Sequence, residues 1–228
     1  MVNLNPITKL SILSLCLSAG LSACSPKPES AQGQIIAVQQ QTANTSHWLT
    51  PEFIAINQKA KASRFELVTN MLDGGQSTSI LAQAEWPREL AKLYPHLAEF
   101  RLLKLSDTAN IKMRLKGQNL LRLSEGQSAS SYSRVQTYGV LDTLYTAGKQ
   151  DANEIMDFGA TVQNDQVQFK LWAPTATQVE VLLFDKNKQP LTPASLTMVE
   201  DKNTGTWQAS GDQTLAFNYY QYKITVFH

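Results

Sequence analysis

Hydrophobic and polar residues alternate most regularly in the last third of the chain. Val167, Phe169 and Leu171 alternate with polar side chains, and the same alternation returns over 179–183 (VEVLL). A period of two residues is typical of a β-strand with one buried face. The segment between them, 173–175 (APT), contains a proline, which has no N–H to donate and therefore interrupts the pairing. The pattern predicts two consecutive strands separated by a short break.

Shorter apolar segments separated by turns occupy the middle of the chain. Segments 53–56 (FIAI), 64–68 (RFELV) and 120–123 (LLRL) have the length and composition of strands. Residues 73–75 (DGG) predict a turn, because glycine adopts positive φ without steric cost. Several short strands joined by turns are therefore expected here as well.

The helical signal is limited to one short segment. Asp107 is a candidate N-cap, Ile111 and Leu115 share one face of the turns that follow, and Gly117 is a typical helix end. We therefore expect one helix, over 108–116.

These patterns predict a mainly β protein with two immunoglobulin-like, β-sandwich modules in tandem after a disordered tether. We place the first module at 46–150 and the second at 157–228, because the residues between them are polar and turn-rich. The preceding segment, 24–45, contains two prolines and three consecutive glutamines. It offers too little apolar surface to offset the entropy of ordering, so a flexible tether is expected.

Composition narrows the possible functions. The chain is 43% hydrophobic and 17% charged, with a formal net charge of +1. Nucleic-acid binding requires a clustered basic face, so no nucleic-acid partner is predicted. Both cysteines lie within the first 24 residues, and there are only three histidines. We therefore expect no disulfide framework in the body of the chain, no metal site and no cofactor.

An apolar run lies near the N-terminus at 10–17 (LSILSLCL). It is well under the ~20 residues of a spanning helix and small residues follow it, so 1–23 is interpreted as a signal peptide. Residues 21–24 (LSAC) are similar to the lipobox of bacterial lipoproteins, which implies acylation of Cys24; the alternative is an ordinary leader with a chance cysteine. Acyl chains anchor a domain stably, since each buried methylene contributes about 0.8 kcal/mol. We expect a lipoprotein at the bacterial outer membrane or cell surface, or on the periplasmic face.

A family resemblance is carried by 169–176 (FKLWAPTA). These residues resemble the opening strands of carbohydrate-binding module 48, the immunoglobulin-like module that precedes the catalytic barrel in pullulanases and related debranching enzymes. Further segments are similar to the N-terminal β-domain of bacterial pullulanases and occur in the same order. They are 47–48 (HW), 94–98 (YPHLA), 116–118 (KGQ) and 139–145 (GVLDTLY).

The resemblance implies the N-terminal accessory region of a secreted pullulanase-type hydrolase of α-1,6-glucosidic bonds in pullulan, starch or glycogen. Retaining glycosidases use two carboxylates about 5–5.5 Å apart. In this family those carboxylates, and often bound calcium, belong to a (β/α)8 barrel that no segment of this sequence matches. We therefore expect no catalytic residue in the chain, and we interpret its end at His228, directly after a strand, as that of a fragment. The expected partners are the catalytic barrel of the same parent chain, an α-glucan polysaccharide and a membrane.

Carboxylates are scattered over turns and polar strand positions, so we expect solvated surface charges. They include Glu52, Glu66, Asp73, Glu85, Glu89, Glu99, Asp142, Asp157, Asp165 and Glu180. The chain has neither a Gly-x-Ser-x-Gly nucleophile motif nor a glycine-rich phosphate loop.

Tryptophans are the candidate carbohydrate contacts, because sugar rings pack on aromatic faces. Trp172 lies on the strand face opposite Phe169 and Leu171, and we expect it to pack against a neighbouring domain, since exposed large aromatic residues mark interfaces. Trp207 follows a turn and is expected to cover the sandwich core. Trp86 lies in a loop before a proline and is the best exposed candidate.

Two alternatives to the accessory-region interpretation remain open. The first is a free-standing surface lipoprotein that binds α-glucans without hydrolysis. The second is a structural envelope protein with no glucan affinity. Glucan binding that is lost on Trp86→Ala or Trp172→Ala would favour the first.

Overall fold

Two β modules follow one another in the computed structural model, which describes residues 45–57, 59–127 and 129–227. The predicted signal peptide, Cys24 and all but the last residue of the predicted tether lie outside these residues. All described residues belong to the same compact unit of the chain.

The first module is a closed barrel of seven strands. Its strands are β1 (Ser46–Trp48), β2 (Phe53–Ile56), β3 (Arg64–Asn70), β4 (Gln76–Ala84), β5 (Arg101–Leu105), β6 (Gln118–Ser124) and β7 (Ser131–Gln136). Around the barrel they run in the order β1-β2-β5-β4-β3-β6-β7, and a parallel pairing of β1 with β7 closes the ring. The remaining pairs are antiparallel.

Aliphatic side chains, one tryptophan and one phenylalanine, Phe65, fill the barrel. The most deeply buried are Trp48, Ile54, Ile56, Leu67, Leu103, Leu121 and Val140. Burying an aliphatic side chain of this size contributes about 1.5–3 kcal/mol relative to leaving it exposed. The apolar alternation of the sequence is therefore the source of this core.

A second apolar cluster lies on the outside of β2 and β5. It is covered by helix α1 (Arg88–Leu93) and a 3₁₀ turn (Pro95–Leu97). Leu90 and Leu97 pack there with residues of both strands, and Trp86 is partly buried against them. The outer face of the barrel is thus closed where these helical turns cross it.

Helix α2 (Ile111–Arg114) is shorter than the predicted segment 108–116. The Asp107 carboxylate accepts the N–H of Ala109 at 2.8 Å, so it caps a turn before the helix and not the helix itself. Asn110 then adopts the left-handed conformation, with φ of 56°, and the helix begins after it. The predicted cap and length were therefore wrong.

Helix α3 (Tyr138–Tyr145) follows β7 and had no sequence prediction as a helix. Gly139 packs so closely on the residue after β1 that a Cβ there would lie 3.0 Å from the Leu49 Cα. Val140 and Tyr145 on this helix are buried. The helix covers one end of the barrel and leads into the linking segment, which holds a 3₁₀ turn (Ala152–Glu154).

The second module is a sandwich of two sheets. Its strands are β8 (Gly159–Gln163), β9 (Gln166–Trp172), β10 (Ala176–Phe184), β11 (Pro190–Thr197), β12 (Val199–Asp201), β13 (Thr206–Asp212) and β14 (Tyr219–Val226), with a 3₁₀ turn (Gln213–Leu215) before β14. One sheet has the order β11-β10-β14 and the other β12-β13-β9-β8. The chain crosses between them at 173–175, where the proline interrupts pairing as predicted.

The sandwich core joins the inner faces of both sheets. Its buried residues are Val167, Phe169, Ala176, Val179, Val181, Leu183, Met198 and Trp207. The predicted alternations on β9 and β10 thus point their apolar residues at each other.

The prediction of a mainly β chain with two modules in tandem is confirmed. The second module is a two-sheet sandwich, whereas the strands of the first close into a barrel. A period of two residues does not distinguish these architectures, since strands of both alternate between an inner and an outer face.

Candidate functional site

Trp172 ends β9 on the outer face of the four-stranded sheet. Its partner across the ladder is Thr206 of β13. The indole Nε1 donates to the backbone carbonyl of Thr204 at 3.0 Å, and 37% of the residue is exposed. The ring is therefore held in place with part of its surface open to solvent.

The turn that holds Trp172, residues 201–205, is organised by Asp201. The Asp201 carboxylate accepts the backbone N–H of Asn203 at 2.9 Å and the hydroxyl of Thr204 at 3.0 Å. Gly205 has a φ of 69° and donates its N–H to the Asp201 carbonyl at 2.8 Å. Aspartate commonly stabilises turns by bonding to the backbone two residues on, so this turn is preorganised.

A lysine of the barrel module holds the same turn. Lys112 on α2 donates through Nζ to the carbonyls of Lys202 at 2.8 Å and Asn203 at 3.1 Å. Its ammonium group also lies 4.5 Å from the centre of the Tyr145 ring, within the range of a cation–π contact. The two carbonyls directly precede the one that accepts the Trp172 hydrogen bond.

A largely buried ion pair forms the second link between the modules. Lys116 Nζ lies 2.6 Å from the Glu200 carboxylate and 5.3 Å from the centre of the Trp207 ring. Burial, with a smaller contribution from the negative charge of Glu200, raises the pKa of Tyr145 to about 12. The Tyr145 phenol therefore stays neutral at this junction at ordinary pH.

The other predicted contacts are less accessible than Trp172. Trp207 is 6% exposed and donates Nε1 to the carbonyl of Ala173 at 3.0 Å, so it covers the sandwich core as predicted and its ring is not open to a sugar. Trp86 is half-buried and donates Nε1 to the Phe100 carbonyl at 2.9 Å. Cys24, the predicted lipidation site, lies outside the described residues.

Glu66 is buried, contrary to the prediction of a solvated surface charge. Its carboxylate accepts hydrogen bonds from Arg64 and from Arg122, each at 2.8 Å. Burial raises the pKa of Glu66, but the hydrogen bonds and charges of Arg122 and Arg64 outweigh that effect and lower the pKa below its ordinary value. Arg122 lies directly opposite Glu66 in the ladder between β3 and β6. The prediction was wrong because the sequence alone does not show which residue of β6 pairs with Glu66.

The surface of the sandwich around 217–226, which we call its open side, exposes a group of aromatic residues. Phe217 is 93% exposed and has a φ of 64°, and Tyr219 and Tyr220 beside it are also exposed. Two clefts adjoin the tyrosines, with volumes of about 190 and 360 Å³. The run 217–222 (FNYYQY) was the sequence signal that would have marked this surface as a candidate.

Strand β14 forms the edge of its described sheet on this open side. Ile224 lies opposite Val179 of β10 and therefore faces the interior, yet it is 44% exposed. Val226 likewise remains exposed. Tyr222 donates to the carbonyls of Gly159 at 3.2 Å and Lys170 at 3.1 Å, which ties β14 to the other sheet. Beyond that tie, apolar residues on the inner side of β14 are uncovered.

Hydrogen bonding and apolar contact are the chemistry that the described surfaces offer. In the described part of the chain, no three His, Cys, Asp or Glu side chains are grouped so that they would hold a metal ion. None of the helices in that part is long and apolar enough to span a membrane.

Both modules match known domain families. The pullulanase N2 domain matches residues 43–143, and carbohydrate-binding module 48 (isoamylase N-terminal domain) matches residues 157–228. The pullulanase of Klebsiella pneumoniae is 33% identical over 142 residues, which are 62% of this chain and 12% of that protein. Pullulanase 1, chloroplastic, of Arabidopsis thaliana is 25% identical, and the match covers 93% of this chain and 23% of that protein.

Solved structures show the same relationship. The apo pullulanase from Klebsiella pneumoniae is 28% identical with a TM-score of 0.70, and the match covers 80% of this chain and 20% of the other. The pullulanase of that organism complexed with maltotriose is 28% identical with a TM-score of 0.68, covering 80% and 18%. This chain spans 12% to 23% of the length of the curated relatives above. The resemblance is confirmed: the chain carries, in order, a pullulanase N2 domain and a carbohydrate-binding module 48, the domain pair of the N-terminal region of pullulanases.

Proposed function

We propose that the chain is the N-terminal accessory region of a secreted pullulanase-type glycoside hydrolase that cleaves α-1,6-glucosidic bonds of pullulan, starch or glycogen. The observation that carries the proposal is the order of the two domains, which match the corresponding part of longer pullulanases over 80% of this chain. The chain itself does not catalyse the reaction. Hydrolysis belongs to a (β/α)8 barrel of the same parent chain.

The open side of the sandwich is the surface that docks on this catalytic barrel. Ile224 and Val226 lie on the inner side of β14 and are 44% and 45% exposed, although Val179 and Ala176, their partners on β10, are buried. The edge of β14 also leaves backbone groups available for pairing. An exposed apolar patch of this kind marks an interface, and the length of the pullulanase relatives beyond the matched region supplies a partner in the same polypeptide.

Trp172 is the proposed direct contact with an α-glucan. Its ring is partly open, and its Nε1 is already bonded to the Thr204 carbonyl, so the ring orientation is set before a ligand binds. An aromatic plane packs on the apolar face of a sugar ring. A Klebsiella pneumoniae relative has been solved with maltotriose, a short α-glucan, which supports this ligand class.

A lipid on Cys24 would hold this assembly at the bacterial outer membrane, at the cell surface or on its periplasmic face. The sequence LSAC at 21–24 supports this part of the proposal. Mass spectrometry of the mature protein tests it: an acylated N-terminal cysteine is expected, and a free thiol there would contradict it.

The reading frame after the codon for His228 tests the accessory-region proposal. We expect it to continue into a (β/α)8 barrel, and we expect pullulan hydrolysis by the whole product but none by residues up to 228. A stop codon there, together with retained pullulan binding in an affinity gel, would replace the proposal with a free-standing α-glucan-binding lipoprotein. Hydrolysis of pullulan by this chain alone would overturn its non-catalytic role.

A further inference from the structure

A cleft of about 590 Å³ lies along β9 and β13, beside the segment that joins β11 to β12. This volume falls within the usual range of small-molecule sites, about 300–1,000 Å³. The polar part of its lining includes Gln166, Gln168, Gln208 and Ser210. We call it the glutamine cleft.

The glutamine side chains of this cleft are free to bind a ligand. Gln168 lies opposite Ser210 in the antiparallel ladder, and Gln208 lies opposite Lys170, so their side chains share the outer face of the sheet. None of Gln166, Gln168 and Gln208 has a side-chain hydrogen bond to another residue of the described ranges, 45–57, 59–127 and 129–227. Alternate residues of a strand are roughly 7 Å apart, so the amides form a row of donors and acceptors.

The lining combines these amides with apolar groups. Leu196, Val199 and Ala209 contribute to it, and Val199 is largely exposed. Amide and hydroxyl groups beside an apolar floor match the two kinds of surface on a sugar ring, its hydroxyl rim and its C–H faces. A purely apolar ligand would leave the amides unpaired on binding, which is unfavourable.

The cleft also lacks a net charge. Its one charged lining residue, Lys170, is paired with Asp157 at 2.6 Å. The Lys170 hydrogen bond holds the pKa of Asp157 below its ordinary value, so the pair persists at neutral pH. A neutral ligand is therefore favoured over an anion or a cation.

We propose that the glutamine cleft binds a neutral oligosaccharide chain through the amides of Gln168 and Gln208, as a site separate from the Trp172 ring. The choice of an α-glucan as that oligosaccharide rests on the proposed function. The cleft then gives the carbohydrate-binding module a second contact region, two to six residues along β9 from Trp172.

Titration of the purified, ¹⁵N-labelled chain with maltotriose tests the proposal. Side-chain amide signals of Gln168 and Gln208 should shift on binding. The double variant Gln168→Ala/Gln208→Ala should weaken maltotriose affinity about tenfold, since two neutral hydrogen bonds are removed. Gln178→Ala, a glutamine of the other sheet, is the matched control and should leave the affinity unchanged. Unchanged backbone spectra show that each variant is folded.

The outcomes separate this site from the proposed function. If maltotriose binds and only Trp172→Ala weakens it, while the glutamine signals stay fixed, the cleft proposal is overturned and the Trp172 contact stands. If maltotriose does not bind at all, the cleft proposal is also overturned, and the reading frame after His228 still decides the accessory-region proposal on its own. Tighter binding of a charged oligosaccharide than of maltotriose would contradict the neutrality argument.

Discussion

Replacing Gly205 with alanine probes the contact between the two modules directly. A Cβ at this position would lie 2.6 Å from the Pro174 Cβ and 3.1 Å from the Tyr145 Cε1. Real Cβ atoms do not approach other heavy atoms within 3.0 Å, so the turn 201–205 or the segment at Pro174 would have to move. Tyr145 is itself buried and belongs to helix α3 of the barrel module, so it has little room to yield.

Two costs add at Gly205. Its φ of 69° is a left-handed conformation, which costs an alanine about 1 kcal/mol more than a glycine. Overpacking of a close contact adds about 1–3 kcal/mol. We therefore expect Gly205→Ala to lower the free energy of unfolding by about 2–4 kcal/mol.

Gly126→Ala is the matched control. Gly126 also has positive φ, 56°, but a Cβ there would meet nothing within 4 Å. This variant should lose only the backbone contribution, about 1 kcal/mol. Urea denaturation followed by tryptophan fluorescence measures both changes, because Trp48 and Trp207 report on the two modules. Equal losses in the two variants would refute the reasoning that the turn is packed tightly between Pro174 and Tyr145.

Three further predictions concern buried or partly buried polar groups. Glu66→Gln should lower stability at pH 7 by about 2–3 kcal/mol. The native pKa of Glu66 is below its unfolded value of about 4.3, so the ionised carboxylate contributes fully to the free energy of unfolding above about pH 4.3. This contribution is lost as the pH falls through the native pKa. The free energies of unfolding of the wild type and Glu66→Gln, measured by urea titration, should therefore converge in acid. Lys116→Met leaves Glu200 without its partner and should lower the free energy of unfolding by about 2–3 kcal/mol. The double variant Lys116→Met/Glu200→Gln should recover part of this loss, because no unpaired charge remains. Additive losses in this double-mutant cycle would exclude coupling between Lys116 and Glu200. Tyr222→Phe removes a donor to two carbonyls and should cost about 1–2 kcal/mol in thermal or urea unfolding. Burial raises the pKa of Tyr222 to about 12, whereas its unfolded pKa is about 10. The neutral phenol therefore contributes to the free energy of unfolding below about pH 10, and this contribution is lost as the pH rises towards about 12. A wild-type chain that is still more stable than Tyr222→Phe at about pH 12 would contradict this assignment.

Local periodicity was sufficient to locate two strands of the sandwich, β9 and β10. The alternations at 167–171 and 179–183 each correspond to a strand with its apolar side in the core. The break at 173–175 also followed from chemistry within one short segment, because proline lacks an N–H. Each of these predictions depends only on residues that are close in sequence.

Barrel closure and the candidate site depend on residues far apart in sequence. β1 and β7 meet in parallel through Ser46 and Val135, and no local pattern indicates that pairing. Lys112 and the carbonyl of Lys202 are 90 positions apart, and an isolated lysine before a helix end has the appearance of a solvated charge. The free amides of the glutamine cleft likewise look like the ordinary polar face of a strand until the neighbouring strand is placed beside it.

The contacts between the modules give a physical reason for this domain pair to act as one part. Lys112 donates hydrogen bonds to two consecutive carbonyls of the turn 201–205. The next carbonyl, that of Thr204, accepts the hydrogen bond that orients the Trp172 ring. Hydrogen bonds from a charged donor are worth about 1.5–3 kcal/mol, which is enough to bias the conformation of a five-residue turn. A sandwich without the barrel would therefore retain its core and the Asp201 hydrogen bonds within the turn, but would lose the two Lys112 hydrogen bonds that restrain it further. The N2 barrel accordingly stabilises the turn of the neighbouring module that orients Trp172.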